Sequence, residues 1–129
     1  ETDQMLAQRN PSEAYRRVEF DARVAGATPA ELVRLCYEQV ITALGGAMLA
    51  AERGDNQAKS QALTRAMSAL TALQMGVRGE DAMAQALLHI YTSARRAVLD
   101  SVLNFDSATL ARIRQDFVEI NEGLAQATH

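Results

Sequence analysis

The sequence is poor in the residues that break helices and in those that favour strands. Of its 129 residues only two are proline and seven are glycine, and aromatic residues make up 5%. Proline and glycine interrupt helices, whereas aromatic and β-branched residues favour strands. Good helix formers such as alanine, leucine, glutamine and arginine are plentiful instead. The composition therefore predicts an all-α protein.

Cysteine and one-sided charge are also scarce. The single cysteine, Cys36, excludes an internal disulfide and is typical of a reducing compartment. The net charge is only −3 and the two signs are interleaved, whereas a nucleic-acid surface needs clustered lysine and arginine. No apolar run approaches the roughly 18 residues of a membrane span, and the N-terminus lacks a basic-then-apolar signal pattern. We expect a cytoplasmic protein without membrane insertion or nucleic-acid binding.

Capping signals delimit four long helices. Thr28 to Glu31 has the form of a capping box, with proline at the first helical position. Asp55 and Asp106 each stand where an N-cap residue is expected, and Gly54 ends the helix before Asp55. The predicted helices extend from Thr28 to about Arg53, from Asp55 to about Val77, from about Glu80 to Leu103, and from Asp106 to about Leu124.

Each predicted helix carries one apolar face at the three- and four-residue spacing of an α-helix. Four such helices of about 20 residues, joined by short turns, form an antiparallel four-helix bundle. We predict one domain, 1–129, in which 28–124 form this bundle and 1–27 form an additional short N-terminal helix or flap. The predicted core positions are Leu32, Val33, Cys36, Val40, Ala43, Leu44 and Met48 on the first helix; Leu63, Ala66, Met67, Leu70, Leu73 and Val77 on the second; Met83, Leu87, Ile90, Tyr91, Ala94, Val98 and Val102 on the third; and Leu110, Ile113, Phe117, Ile120 and Leu124 on the fourth.

Several leucines fall outside these core faces. Leu35 and Leu49 lie on the far side of the first helix. Leu88, Leu99 and Leu103 make a second apolar patch on the third helix. Grouped apolar side chains outside a core predict a surface groove that an apolar partner fills. The alternative is that the first and third helices are simply the more buried pair.

Residues 14–25, AYRRVEFDARVA, carry two apolar stripes on nearly opposite sides of a short helix. Tyr15 and Val18 belong to one stripe, and Phe20 and Val24 belong to the other. A dozen residues form too weak a helix to persist without support. We therefore expect a hinged flap that covers the groove until a partner arrives. The alternative is a permanently packed N-terminal helix.

The residue types that carry catalysis or bind metals form no recognisable pattern. The Glu-x-x-His motif of di-iron bundles does not occur, and His89 lies in mid-helix beside the core face. Cys36 lies on an apolar face without a basic neighbour, which is typical of an inert thiol. Gly45 and Gly46 lie inside a helix, where they either admit another segment or are a tolerated weakness. We predict a helical binding module with no catalytic residue, metal site or cofactor.

Several short motifs follow one another in a specific order between about residue 12 and residue 124. They are Ala14-Tyr15-x-x-Val18, Ala27-Thr28-Pro29-x-x-Leu32-Val33, Leu35-x-Tyr37, Gly54-Asp55-x-x-Ala58-Lys59 and Leu87-x-x-Ile90-Tyr91. In this order and spacing the chain resembles the flagellar secretion chaperones of the FliS family. The resemblance implies a helical bundle that binds the C-terminal segment of flagellin in the cytoplasm. Such a chaperone prevents premature filament assembly and delivers flagellin to the flagellar export gate.

The resemblance also implies roles for the N-terminal segment. In the family this segment can occupy part of the flagellin groove, and the tyrosine that matches Tyr15 is linked to docking at the export gate. The expected partners are flagellin and an export-gate component, and the free protein is expected to be a monomer or weak dimer. The candidate groove residues are Leu35, Leu49, Leu88, Leu99 and Leu103; the candidate flap and docking residues are Tyr15, Val18, Phe20 and Val24.

Two other classes of protein stay open at this point. A self-associating four-helix scaffold or adaptor would use the same leucines against a second copy of itself, and light scattering would reveal its dimer. A small carboxylate-metal bundle enzyme would contain bound iron, manganese or zinc, which elemental analysis would detect.

Overall fold

A computed structural model describes residues 11–127, which form five α-helices and no strand. The all-α fold class and the additional N-terminal helix are confirmed within that range. Residues 1–10 of the predicted flap lie outside the described residues. The helices are α1 (Pro11–Ala25), α2 (Pro29–Glu52), α3 (Asn56–Gly76), α4 (Ala82–Leu103) and α5 (Ser107–Ala127).

Side-chain caps begin the first two predicted long helices where the sequence predicts them. The backbone N–H of Glu31 donates to Thr28 Oγ1 at 3.2 Å, and the N–H of Thr28 donates to Glu31 Oε1 at 3.3 Å. This reciprocal pair confirms the capping box. Asp55 accepts a hydrogen bond from the N–H of Ala58 at 3.0 Å, also as predicted. Gly54 precedes it with φ of +70°, a conformation that glycine adopts without steric cost.

The third predicted helix starts two residues later than expected. Its N-cap is Asp81, which accepts from the N–H of Ala84 at 2.8 Å, and α4 therefore begins at Ala82 rather than near Glu80. Two acidic residues, Glu80 and Asp81, are adjacent at this point in the sequence. Aspartate is the better cap because its short side chain reaches the backbone of the first turn.

The chain divides into two compact units, Glu1–Leu32 and Val33–His129. In the second unit, α2, α3, α4 and α5 contribute side chains to one hydrophobic core. Most of the predicted core faces are found there. The fully buried large side chains of this core are Tyr37, Val40, Leu44, Leu63, Leu70, Val98, Leu110 and Phe117.

Four predicted core residues are exposed instead. They are Val33, Met83, Val102 and Leu124. Each lies within the first or last turns of its helix. Ala84 beside Met83 and Ser101 beside Val102 are buried, so the ends of α4 are covered but on a different side of the helix. The prediction was wrong at these two positions because the apolar period does not show how far round the helix the buried side extends.

Hydrogen bonds between α3 and α4 define their relative direction. Gln74 Nε2 donates to Thr92 Oγ1 at 2.9 Å, and Arg95 Nε donates to Thr71 Oγ1 at 3.0 Å. Moving forward from Thr71 to Gln74 along α3 therefore means moving backward from Arg95 to Thr92 along α4. Neighbouring helices with contacts in this order are antiparallel.

Helix α2 is the one helix within residues 11–127 that is long and apolar enough to cross a membrane. The sequence prediction considered uninterrupted apolar runs, and the charged residues Arg34 and Glu38 interrupt this one. The core helix of a soluble protein has the same length and composition. A third of the apolar stretch of α2 is buried, and Tyr37, Val40 and Leu44 of that stretch lie in the core of the second unit.

Candidate partner-binding surfaces

Three leucines of α4 form an exposed apolar surface. Leu88, Leu99 and Leu103 have 37%, 45% and 88% of their surface exposed. They are separated by eleven and four residues, which places them on one side of a helix with 3.6 residues per turn. Their exposure agrees with the prediction that they lie outside the core. We refer to these three residues as the α4 surface.

The α4 surface borders α3. Thr92 and Arg95 follow Leu88 by four and seven residues, so they lie on the same side of α4. These are the residues that hydrogen-bond to Gln74 and Thr71 of α3. The leucines therefore lie along a polar seam between the two helices. A partner lying on this surface meets apolar side chains next to hydrogen-bonding groups.

Leu49 lies on a different surface. It is 46% exposed and follows Ile41 and Gly45 of α2 by eight and four residues, on the same side of that helix. The Ile41 carbonyl accepts a hydrogen bond from Arg114 of α5. The side of α2 that carries Leu49 therefore borders α5, whereas the α4 surface borders α3. The candidate groove residues thus belong to two surfaces on different helices.

Leu35 is not an exposed residue. Only 7% of its surface is accessible, and its placement on an open outer face was wrong. It does not belong to the hydrophobic core that Tyr37 and Leu44 share. Helical spacing correctly placed Leu35 away from that core. Spacing cannot show whether another part of a chain covers such a position.

The two apolar stripes predicted for residues 14–25 are carried by α1, taken by itself. Tyr15 and Val18 are 70% and 69% exposed. Phe20 and Val24, on the other stripe, are partly buried. The helix therefore presents an open apolar stripe whose two large side chains are three residues apart. Their role as a flap and docking segment stays a prediction.

An aromatic cluster lies at the centre of the second unit. The hydroxyl oxygens of Tyr37 and Tyr91 are 2.6 Å apart, and the ring centroids of Tyr37 and Phe117 are 5.3 Å apart. Burial raises the pKa of both phenols; for Tyr37 the hydrogen bond to Tyr91 raises it further. Tyr91 and Phe117 were predicted to lie in the core, whereas Tyr37 was not among the predicted core residues.

Reactive groups are not gathered into a site within residues 11–127. No group of three or more histidine, cysteine, aspartate or glutamate side chains there is arranged to hold a metal ion. Cys36 is half-buried, and this burial raises the pKa of its thiol. A raised thiol pKa disfavours the nucleophilic thiolate.

The chain matches one known protein family over nearly its whole length. The family model of the flagellar protein FliS covers residues 11–129, a range that starts with α1 and includes all five helices. A search of curated proteins gives no match. The family predicted from the motif order is confirmed. The chain is a member of the FliS family of flagellar export chaperones.

Proposed function

We propose that this protein is a cytoplasmic chaperone that binds the C-terminal segment of flagellin. In this role it prevents premature polymerisation and delivers flagellin to the flagellar export gate. Family membership supports the general activity. The observation that supports a flagellin-binding surface is the row of exposed leucines on α4, which lies about a third of a turn around the helix from the side that carries Val98 into the core.

The architecture that we propose for residues 28–124 is an antiparallel four-helix bundle. The order of the hydrogen bonds between α3 and α4 supports it. Contacts between α2 and α5 have the same reversed order, since Tyr37 contacts Phe117 while Ile41 accepts from Arg114. A rigid bundle of this kind provides long fixed tracks on which a flexible partner can order itself.

The two apolar surfaces favour an extended partner over a compact one. The α4 surface borders α3 and the side of α2 that carries Leu49 borders α5, so one partner that contacts both must extend around the unit. A segment that folds on binding loses conformational entropy and needs a wide contact to compensate. Complete burial of one exposed leucine contributes roughly 1.5–3 kcal/mol. Leu103, at 88% exposure, has the most surface left to bury.

The N-terminal segment is proposed as a flap that flagellin replaces. Its amphipathic pattern and the exposed pair Tyr15 and Val18 support a segment that makes apolar contacts with other molecules. Removal of residues 1–25 is expected to leave flagellin binding unchanged or tighter and to weaken docking at the export gate. If this deletion unfolds the remaining helices, the segment is needed for the fold and is not a flap.

Flagellin polymerisation provides the test of the proposed function. Seeded filament growth from purified flagellin monomers is followed by light scattering, with and without an equimolar amount of this protein. We expect suppressed growth with the wild-type protein and restored growth with the Leu99→Ser/Leu103→Ser variant. Met83→Ser is the matched control, because Met83 is an exposed residue of α4 on a different side of the helix. Unchanged growth in the presence of the wild-type protein would contradict the proposal.

A further inference from the structure

The middle of α2 is in contact with an arginine side chain of α5. Arg114 Nε donates a hydrogen bond to the backbone carbonyl of Ile41 at 3.0 Å. A Cβ atom placed on Gly45 would lie 3.2 Å from this Nε atom, which is closer than ordinary van der Waals contact. A side chain at position 45 would therefore require the guanidinium of Arg114 to move by a few tenths of an ångström from its place against the α2 backbone.

The acceptor of this hydrogen bond has capacity for a second donor. In an α-helix the carbonyl of residue 41 accepts from the N–H of residue 45, and a carbonyl oxygen has two lone pairs. The guanidinium of Arg114 uses the second one. Hydrogen bonds from a charged donor are roughly twice as strong as those between neutral groups. A side chain of α5 is thus bonded to the backbone of α2 in a half-buried position.

The neighbouring glycine has no comparable contact. A Cβ on Gly46 would lie 3.8 Å from Arg65 Nη2 and 3.9 Å from the Cβ of Ala62, both ordinary distances. Alanine at this position would fit and would favour the helix over glycine. Of the two adjacent glycines, Gly45 alone stands at a position of close approach. Substitution of Gly46 is therefore a matched control for substitution of Gly45.

We propose that Gly45, Arg114 and the Ile41 carbonyl form a latch that fixes α5 in register against α2. The latch lies next to the contact between the rings of Tyr37 and Phe117. Ile41 follows Tyr37 by four residues, and Arg114 precedes Phe117 by three. Loss of the latch leaves α5 held by its apolar contacts, so that it opens more often while the remaining helices stay folded. This device is independent of the partner that the protein binds.

A double-mutant cycle with thermal denaturation tests the latch. In the wild-type background Gly45→Ala is expected to lower the melting midpoint by a few degrees because it displaces Arg114. In the Arg114→Ala background the same substitution is expected to raise the midpoint, since alanine is the better helix former. Gly46→Ala should raise the midpoint in both backgrounds. An equal rise for Gly45→Ala in both backgrounds would overturn the proposal.

Amide hydrogen exchange provides a readout confined to α5. The amides of α5 are expected to exchange several-fold faster in both Gly45→Ala and Arg114→Ala, relative to those of α3 in the same sample. Gly46→Ala should leave the ratio between α5 and α3 unchanged. Uniform acceleration of both helices, or no acceleration of α5, would show that no separate latch exists.

Discussion

The hydroxyl oxygens of Tyr37 and Tyr91 lie 2.6 Å apart in the core, although 54 positions separate the two residues in the sequence. Both rings also contact Phe117, with centroid distances of 5.3 Å and 6.2 Å. Helices α2, α4 and α5 therefore meet at three aromatic side chains. Each buried hydroxyl has the other as a hydrogen-bond partner, which offsets the cost of removing both from water.

The first prediction concerns this pair of hydroxyls. Tyr37→Phe or Tyr91→Phe leaves the other hydroxyl buried without a partner, at a cost of about 1–3 kcal/mol in the free energy of unfolding. The double variant removes both hydroxyls and is expected to cost less than the sum of the two single changes. Urea denaturation measures all three. Strict additivity of the single effects would show that the hydroxyls are not energetically coupled.

The second prediction concerns alkaline pH. Burial raises the pKa of Tyr37 and Tyr91 above the ordinary value of 10.0, so the folded state holds these phenol protons more tightly than the unfolded state does. The resulting stabilisation is complete below that value and is lost as the pH rises above it. We therefore expect phenolate absorbance to appear together with loss of helical circular dichroism.

The Tyr15→Phe variant is suited to this titration. The chain has three tyrosines, so this variant leaves only the buried pair to report. Appearance of phenolate absorbance while the helical signal is still intact would contradict the prediction.

The third prediction concerns Asp106, the residue before α5. The hydroxyl of Thr109 donates to Asp106 Oδ2 at 2.6 Å, and the N–H of Thr109 donates to Oδ1 at 3.1 Å. These hydrogen bonds hold the pKa of the carboxyl below its ordinary value of 3.8. The carboxylate therefore stabilises the fold above that value, and this stabilisation is lost as the pH falls through the folded-state pKa.

Two substitutions separate capping from charge at this position. Asp106→Asn retains a capping oxygen, and its stability is expected to fall less steeply than that of the wild type in the acid range. Asp106→Ala loses the cap as well and should melt at a lower temperature at neutral pH. Melting midpoints measured across the acid range give both differences. If the melting midpoints of the wild type and of Asp106→Asn fall equally as the pH is lowered, the carboxylate charge does not contribute to stability.

The fourth prediction separates the two apolar surfaces. Leu103→Ser changes a side chain that is 88% exposed and should alter the free energy of unfolding by no more than about 0.5 kcal/mol. Leu49→Ser removes a side chain that is about half covered and should cost about 1 kcal/mol. Each should weaken binding of the full C-terminal segment of flagellin several-fold. A fragment shortened from one end should respond to one substitution and not to the other, because an extended partner reaches the two surfaces with different parts. A fragment that responds to both or neither would contradict the extended mode of binding.

Local signals in the sequence were sufficient to predict the helices. A capping side chain acts on the backbone only three residues away, as Asp55 does at Ala58, so its effect can be recognised without tertiary structure. The position of Tyr37 in the core was also available from the sequence. It lies three residues before Val40 and seven before Leu44, on the face that those two residues define.

Burial at particular positions could not be predicted in the same way. Leu35 and Met83 illustrate the two kinds of failure, the first buried away from the shared core and the second exposed despite its core-face position. Both outcomes depend on which part of the chain covers a position in three dimensions. The contact between Gly45 and Arg114 could be predicted only in part. Adjacent glycines suggest that another segment comes close, but they do not identify Arg114 as the side chain that does so.

Isothermal titration calorimetry with the C-terminal segment of flagellin tests the central claim most directly. We expect saturable binding with one segment per chaperone and a negative heat-capacity change, which is the signature of buried apolar surface. The Leu99→Ser/Leu103→Ser variant should bind more weakly, and Met83→Ser should bind like the wild type. Absence of binding heat with this protein at concentrations on the order of 10 μM, at two temperatures, would contradict the account.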